Sequence, residues 1–482
     1  MTTHTFDVVI IGAGPVGENV ADRIVQGGLT AAIVERELIG GECSYWACMP
    51  TKALLRDASA LRAVQHLPGA NAAVTGYLDI AAVLRRRDSF ASHWKDDGQA
   101  AWLDSAGITL FRGEGRIGSP RSVQVVDADG EIVVLNARHA VVVATGTSAR
   151  IPTSIEGLAD AAPWTSREAA SAAAVPARLA IVGGGVVATE MATAFSAFGS
   201  KVTIVARDGL LPAVEPFASE LVAKSLRAEG VDLRLDTEPT SIVRDASGEV
   251  QLTLADGTTF RADEVLVATG RNPNTTSLGI ENVGLTPGDW LTVDDALRVV
   301  DSAGAPLAGD WLYAAGDVNR RVLLTHQGKY QARILGDSIV ARANDSALDE
   351  SAWGRHAFTA DEHAVPQVIF SDPEIASVGS TVAQATRRGL NVRVVEYDLA
   401  AVAGAALHAE GYEGRALMIV DEDRKVVVGF TIAGPDVAEL LHAATIAIAG
   451  EVPIDRLWHA VPAYPTVSEV WLRLLETYGR DA

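Results

Sequence analysis

The sequence predicts an α/β protein in which one strand–turn–helix–strand unit is used twice and a smaller α+β domain closes the chain. Three observations carry that expectation. Residues 7–36, DVVIIGAGPVGENVADRIVQGGLTAAIVER, and residues 178–207, RLAIVGGGVVATEMATAFSAFGSKVTIVAR, are two copies of one pattern, starting at 7 and 178 and so offset by 171. Three further apolar runs, Val141–Gly146, Val265–Gly270 and Leu312–Gly316, end in glycine, the last followed by Asp317. Beyond a polar, irregular stretch at 341–365, the runs 368–370, 392–395 and 425–430 read as strands and 436–449 and 466–477 as helices.

In the first copy an apolar strand runs into Gly12-x-Gly14-x-x-Gly17 and then an amphipathic helix. The first glycine allows the tight turn, the second lets backbone approach a pyrophosphate, and the third packs helix on strand, with the helix N-terminus aimed at the phosphates. A second strand ends at Glu35, 23 residues after Gly12, where a carboxylate accepts hydrogen bonds from a ribose diol. The second copy carries Gly183-x-Gly185-x-x-Ala188, the alanine variant of the same fingerprint. Two such units mean two Rossmann-like domains and two bound dinucleotides. Ala206 takes the place that Glu35 holds in the first copy, and Arg207 follows it. Without the carboxylate, and with a guanidinium beside the site, an adenosine 2′-phosphate is accommodated, so NADPH is expected over NADH unless Arg207 points into solvent.

Composition narrows the function. With 48% hydrophobic and 21% charged residues the chain builds real cores. Its 40 Lys plus Arg stand against 61 Asp plus Glu, a formal charge of -21, so nucleic acid is a disfavoured partner. No apolar run reaches the ~18 residues of a membrane span, and the first residues lack a basic and then apolar leader, which leads to the expectation of a cytoplasmic protein with no membrane partner. Two cysteines, Cys43 and Cys48, are too few for a structural disulfide framework. By their own types and spacing they are either redox chemistry or two buried thiols packing as small hydrophobes.

The segment Gly40-Gly41-Glu42-Cys43-Ser44-Tyr45-Trp46-Ala47-Cys48-Met49-Pro50-Thr51-Lys52 resembles the G-G-x-C-x4-C-x-P-[ST]-K signature of the class I pyridine nucleotide-disulfide oxidoreductases. Lipoamide dehydrogenase, glutathione reductase, mycothione reductase and mercuric reductase belong to that family, and the resemblance extends over nearly the whole chain. It implies a homodimer whose C-terminal domain is the dimerisation domain. The implied divisions are 1–150 for the first part of an FAD-binding domain, 151–271 for an NAD(P)H-binding domain, 272–348 for the second part of the FAD-binding, central domain and 349–482 for the interface domain. It also implies that Cys43 is the thiol that exchanges with substrate and Cys48 the one that contacts the flavin. Lys52 is then the lysine beside the flavin, paired with Glu190 unless both are plain surface charges. Implied FAD contacts are Gly12, Gly14, Gly17, Glu35, Lys52, Gly115, Thr145, Gly146, Asp317, which matches the residue on the ribityl chain, and Thr325 with His326. His326 equally fits a satisfied polar residue with no chemical role. Implied nucleotide contacts are Gly183, Gly185, Ala188, Arg207 and Gly270. No metal site is expected.

Spacing tests the cysteine pair independently. On a regular helix, residues five apart have Cα atoms about 8.7 Å apart, beyond the ~7 Å that a disulfide spans. The pair therefore needs an irregular turn, and Pro50 suits a helix that begins close to it.

The pattern departs from the family near the C-terminus. Residues 458–469, WHAVPAYPTVSE, resemble the catalytic H-P-T-x-x-E segment, with Tyr464 in the histidine's place and Glu469 kept. A tyrosine donates hydrogen bonds at neutral pH but is a poor reversible base, so Tyr464, oriented by Glu469, is expected to donate to the acceptor; His459 is expected to be a loop histidine with no chemical role, the alternative being that it folds into the vacancy as the proton source. The expected activity is an NAD(P)H-dependent reduction of a small disulfide or related acceptor through FAD and the Cys43–Cys48 pair. The alternatives are a mercuric reductase-like reductase of quinones or metal ions, although the extra cysteine pair of mercuric reductases is absent, and a dihydrolipoamide dehydrogenase-like component.

Overall fold

The computed structural model describes residues 2–480, which form two compact units. Of the described residues, the first comprises 2–50, 88–150 and 270–361, and the second 51–87, 151–269 and 362–480.

The first copy of the repeat lies in the first unit and folds as its pattern dictates. Strand Thr2–Ile11 is followed by helix Pro15–Gln26 and strand Ala31–Glu35, the two strands parallel with Val8 beside Ala31 and Ile11 beside Val34. Continuous Val/Ile runs suit strands covered on both faces, and Val8, Val9, Ile10, Ala32 and Ile33 are fully buried. The sheet runs Thr109–Arg112, Ala31–Glu35, Thr2–Ile11, Ile132–Val143, Ser122–Val126, Glu114–Ser119, with Leu312–Ala314 also paired to Ile132–Val143. Helix Thr325–Ala343 packs on Pro15–Gln26, and Arg23 Nε donates to Asp337 at 2.9 Å.

In the second unit the second copy folds as strand Arg178–Val182, helix Val186–Ala197 and strand Lys201–Ala206. They sit in a four-stranded parallel sheet between Asp232–Leu235 and Glu264–Val267. A three-stranded antiparallel sheet, Pro239–Arg244, Val250–Leu254 and Thr259–Ala262, is inserted before the last of these. The expected C-terminal α+β domain is a five-stranded antiparallel sheet in the order Pro366–Ile369, Glu374–Gly379, Val426–Gly434, Arg415–Asp421, Val392–Asp398, with helices Leu441–Ala449 and Val470–Tyr478. Its Ile369, Ile375 and Ala433 join one hydrophobic cluster with Leu179, Ile181 and Met191 of the second copy. The polar stretch at 341–365 is helical up to Ala343 and again at Ala360–His363, with no helix or strand between.

Candidate active site

The cysteine segment is positioned by two glycines. Gly40 adopts φ +108° and its N–H donates to the Ala13 carbonyl at 2.8 Å. Gly41 lies against the first glycine turn, where an added Cβ would sit 3.0 Å from Gly14 Cα. Helix Gly41–Tyr45 is anchored by buried Tyr45, whose hydroxyl donates to the Ile39 carbonyl at 3.0 Å. Trp46 and Ala47 then break the helix, and a new one starts at Cys48 with Pro50 in its first turn. This break is the irregular turn that the spacing requires. Cys43 and Cys48 are half-buried thiols in hydrogen-bond contact. Cys48 Sγ lies 3.4 Å from Thr325 Oγ1, at the start of helix Thr325–Ala343. The bond to Cys48, and then burial, push the Cys43 thiol up, while Thr325 and Lys329 pull it down.

The residues around this pair fit FAD. Gly12 holds φ +101°, and a Cβ there would lie 2.5 Å from the Ala144 carbonyl, so the turn admits glycine alone. Above Gly14 the space is open for 4 Å, and helix Pro15–Gln26 opens with proline in its first turn, while Gly17 is buried. One Glu35 oxygen accepts from the Ala13 N–H and the other from the Glu37 N–H, both at 2.8 Å. Burial raises the Glu35 carboxyl against those backbone bonds. Thr145 Oγ1 is buried with no partner among the described residues, a hydroxyl in want of a ligand. At Gly146, next to it, an added Cβ would meet nothing within 4 Å. Asp317 is raised by burial and held by the Thr147 hydroxyl at 2.9 Å, which itself accepts from Arg271 Nε at 2.5 Å. Gly115 packs against Ile11, whose Cγ2 an added Cβ would approach to 2.9 Å. His326 is exposed.

In the second unit, Ala188 and Glu190 are buried on helix Val186–Ala197, and the space above Gly185 is open. Gly183 turns the chain out of the strand at φ +123°. Lys52 Nζ pairs with Glu190 Oε2 at 2.7 Å, the carboxylate 4% exposed and the lysine 34%. The other Glu190 oxygen accepts from the Phe370 N–H at 3.0 Å, and the ammonium lies 5.1 Å from the Phe370 ring centre. The pair is therefore a built contact and not two surface charges. Ala206 is buried at the strand's end. The Arg207 guanidinium is 67% exposed and lies on Asp208, with Nη2 at 2.9 Å, and 4.0 Å from Glu238. Gly270 belongs to the first unit, where its carbonyl accepts from the Arg150 N–H.

One expectation is corrected. Glu469 does not orient Tyr464: it is buried and accepts from Arg473, one turn along its own helix, and its Oε2 has no partner among the described residues. An i,i+4 guanidinium reaches a carboxylate at a helix start more readily than a loop side chain does. Tyr464 is 75% exposed, joined to Pro465 by a cis peptide, and His459 is exposed as well. Sequence reasoning missed Thr147, Arg271, Phe370, Glu18 and Lys329. For the first two a signal existed, since each lies next to an Ala-Thr-Gly strand end; the other three are brought in by tertiary packing alone.

A glycine-turn cradle, a carboxylate held by backbone N–H groups at a strand end and a contacting thiol pair on a twice-used α/β unit fit a flavin- and pyridine nucleotide-dependent disulfide oxidoreductase. Residues 6–332 match the family described as pyridine nucleotide-disulphide oxidoreductase, and residues 365–474 match its dimerisation domain, so the chain belongs to that family. As a class I flavoprotein disulfide oxidoreductase it uses FAD and a nicotinamide dinucleotide. The chain is 30% identical over 478 residues to a dihydrolipoyl dehydrogenase of Chlamydia pneumoniae, covering 97% of this chain and 96% of that one. It is 31% identical over 489 residues to a mercuric reductase of Shigella flexneri, covering 98% and 81%. Among solved structures it is similar to LpdA from Mycobacterium tuberculosis, with a TM-score of 0.81 at 25% identity over 100% of both chains. The fold is also that of the HOCl-induced flavoprotein disulfide reductase RclA from Escherichia coli, with a TM-score of 0.80 at 24% identity, covering 98% of this chain and 99% of that one. Among the described residues no helix is long and apolar enough to cross a membrane, and no group of three His, Cys, Asp or Glu is placed to hold a metal.

Proposed function

We propose that this enzyme takes electrons from NADPH and delivers them through Cys43 and Cys48 to a small disulfide or related acceptor. The contact between the two thiols, made across the broken helix, carries this reading. FAD, when bound, supplies the two-electron relay between the nucleotide and the sulfur pair. Gly12, Gly14, Gly17, Glu35, Gly115, Thr145, Gly146, Asp317, Thr325 and His326 hold it, with Lys52 beside it. Gly183, Gly185, Ala188, Arg207 and Gly270 hold the nucleotide. In the sulfur half-reaction the Cys43 thiolate attacks one sulfur of the acceptor, the acceptor's S–S bond breaks, and the leaving thiolate takes a proton. Cys48 then displaces the second acceptor thiol from Cys43, so the dithiol is oxidised to a disulfide while the acceptor gains two electrons and two protons. Tyr464 donates a hydrogen bond at the acceptor. The domain divisions at 150, 271 and 348, a homodimer joined through residues 349–482 and a cytoplasmic setting complete this reading.

A second reading, reduction of a quinone or a metal ion, is favoured by Tyr464, because such acceptors demand less proton transfer than a leaving thiolate does. The dihydrolipoyl dehydrogenase relatives favour a third, a carrier component running in the opposite direction.

The test is anaerobic reduction of the holoenzyme by two electrons. A long-wavelength absorbance from a Cys48 thiolate beside oxidised flavin is expected, abolished in Cys48→Ser and present at rest in Cys43→Ser. Passage of the wild type straight to reduced flavin with no such band overturns the dithiol role.

A further inference from the structure

We propose that Asp361 is a positioning residue for the flavin site: through the Gln331 amide it fixes the turn at Gly316 that presents Asp317. The inference rests on the reading of Asp317 as the carboxylate on the ribityl chain of FAD. Every residue in the chain of contacts belongs to the first unit.

Asp361 lies on the short helix Ala360–His363, in the polar stretch 341–365, and its side chain is 1% exposed. Each of its oxygens takes one amide: Gln327 Nε2 donates to Oδ1 and Gln331 Nε2 to Oδ2, both at 2.8 Å. Arg321 Nε lies 3.4 Å from Oδ2. Both glutamines are buried on helix Thr325–Ala343, four residues apart and so on one face. Gln331 carries the contact further. Its Oε1 accepts from the Gly316 N–H at 2.8 Å and from Asn319 Nδ2 at 3.0 Å. Asn319 Nδ2 also donates to the Ala314 carbonyl at 3.0 Å, and its Oδ1 accepts from the Arg321 N–H at 3.0 Å, which ties both ends of the turn.

The polarity of this chain is set at Asp361. A carboxylate only accepts, so it draws the NH2 end of Gln331 and leaves the amide oxygen facing the Gly316 N–H, a donor. The opposite orientation would set donor against donor at a buried site, where an unmade bond is costly. Gly316 is the residue that has to be held: its φ is +77°, and an added Cβ would lie 2.8 Å from Val16 Cγ2 on helix Pro15–Gln26. Asp317 follows it directly and accepts from the Thr147 hydroxyl at 2.9 Å.

The experiment exchanges carboxylate and amide between positions 361 and 331. Two quantities are read in the full-length holoenzyme: FAD release, from the recovery of flavin fluorescence on dilution, and hydrogen exchange of the peptide covering residues 312–320. Asp361→Asn can turn its NH2 group toward Gln331 and should speed both, FAD release by about threefold to tenfold, the fold-change that one hydrogen bond carries. Gln331→Glu alone sets two carboxylates face to face and should not improve on the wild type. Combined with Asp361→Asn it restores a donor at 361 and an acceptor facing Gly316, and should return both quantities to within about twofold of the wild type. A combined variant as fast as Asp361→Asn overturns the proposal. Should Asp361→Asn fail to fold, Gln327→Met and Gln331→Met decide: each removes one amide from the same carboxylate, but Gln331→Met alone should speed exchange at 312–320 and FAD release. Equal effects of the two overturn the proposal, because a loss of buried contacts in general would then explain them. If exchange follows the expected pattern while FAD release is unchanged in these variants and in Asp317→Asn, it is the reading of Asp317 as a flavin contact that fails.

Discussion

Glu190 and Lys52 offer a sharp test of how a buried charge is held. The carboxylate is 4% exposed and has two partners, the Lys52 ammonium and the Phe370 N–H, whereas the lysine is 34% exposed and keeps access to water. The two halves of the pair are therefore unequal. Lys52→Met leaves a buried anion with a single backbone donor, and stranding a charge in that way costs about 3–5 kcal/mol in a fully buried pair. The lysine's exposure screens part of this, which brings the expected cost to about 2–3 kcal/mol. Glu190→Gln removes the anion, keeps an oxygen for Phe370 and lets the lysine swing out, for about 1 kcal/mol. The double variant should then be more stable than Lys52→Met alone, by about 1 kcal/mol or more. Because the chain has two compact units, a single global unfolding energy is ill defined. The suitable assay is hydrogen exchange by mass spectrometry on the peptide covering helix Val186–Ala197, which reports local opening, at saturating FAD so that flavin binding does not vary. Equal costs for the two single variants, or strictly additive ones, would refute the reasoning.

Three further outcomes are expected. The ratio of kcat/KM for NADPH to that for NADH should fall in Arg207→Ala and rise in Asp208→Asn, since Asp208 competes with a phosphate for the guanidinium at 2.9 Å; steady-state kinetics with both nucleotides check this. Glu18, raised from 4.5 to about 7 by burial, holds its proton more tightly in the folded state, so the stability it contributes is complete below pH 4.5 and is lost as pH rises through about 7. Glu18→Gln should accordingly match the wild type near pH 4.5 and exceed it near pH 8 in hydrogen-exchange protection of the peptide covering helix Pro15–Gln26, and equal protection at both pH values would contradict the assignment. Tyr464→Phe should slow turnover with glutathione disulfide or lipoamide and leave a quinone acceptor less affected, with His459→Ala neutral. Turnover lost only in His459→Ala would make His459 the proton donor.

Much of this was legible because the signals are local. A glycine that must turn at φ +101° with a carbonyl 2.5 Å from where its Cβ would be leaves a mark on the sequence, and so does a strand ending at Glu35. The offset repeat, the strands ending in glycine and the pair Cys43 and Cys48 are patterns of spacing, and spacing is what backbone geometry turns directly into structure. The requirement for an irregular turn between the cysteines follows from helix rise alone, and the break at Trp46 and Ala47 meets it. Position in the chain says much less about which side chains meet. Glu469 looked like a partner for Tyr464 by proximity in sequence, yet it accepts from Arg473, because a helix turn brings i and i+4 together whatever chemistry the residues were expected to do. Arg207 stood out as a phosphate ligand, and the structure places Asp208 and Glu238 around it. Glu18 and Lys329 lie 311 residues apart, on helices that meet only once Val16 packs under Gly328. Which dinucleotide turns and which thiols the protein owns is thus written in short-range pattern, whereas the electrostatics around those thiols depends on long-range packing, because a charge acts on whatever the fold brings near it in a medium that no longer screens it.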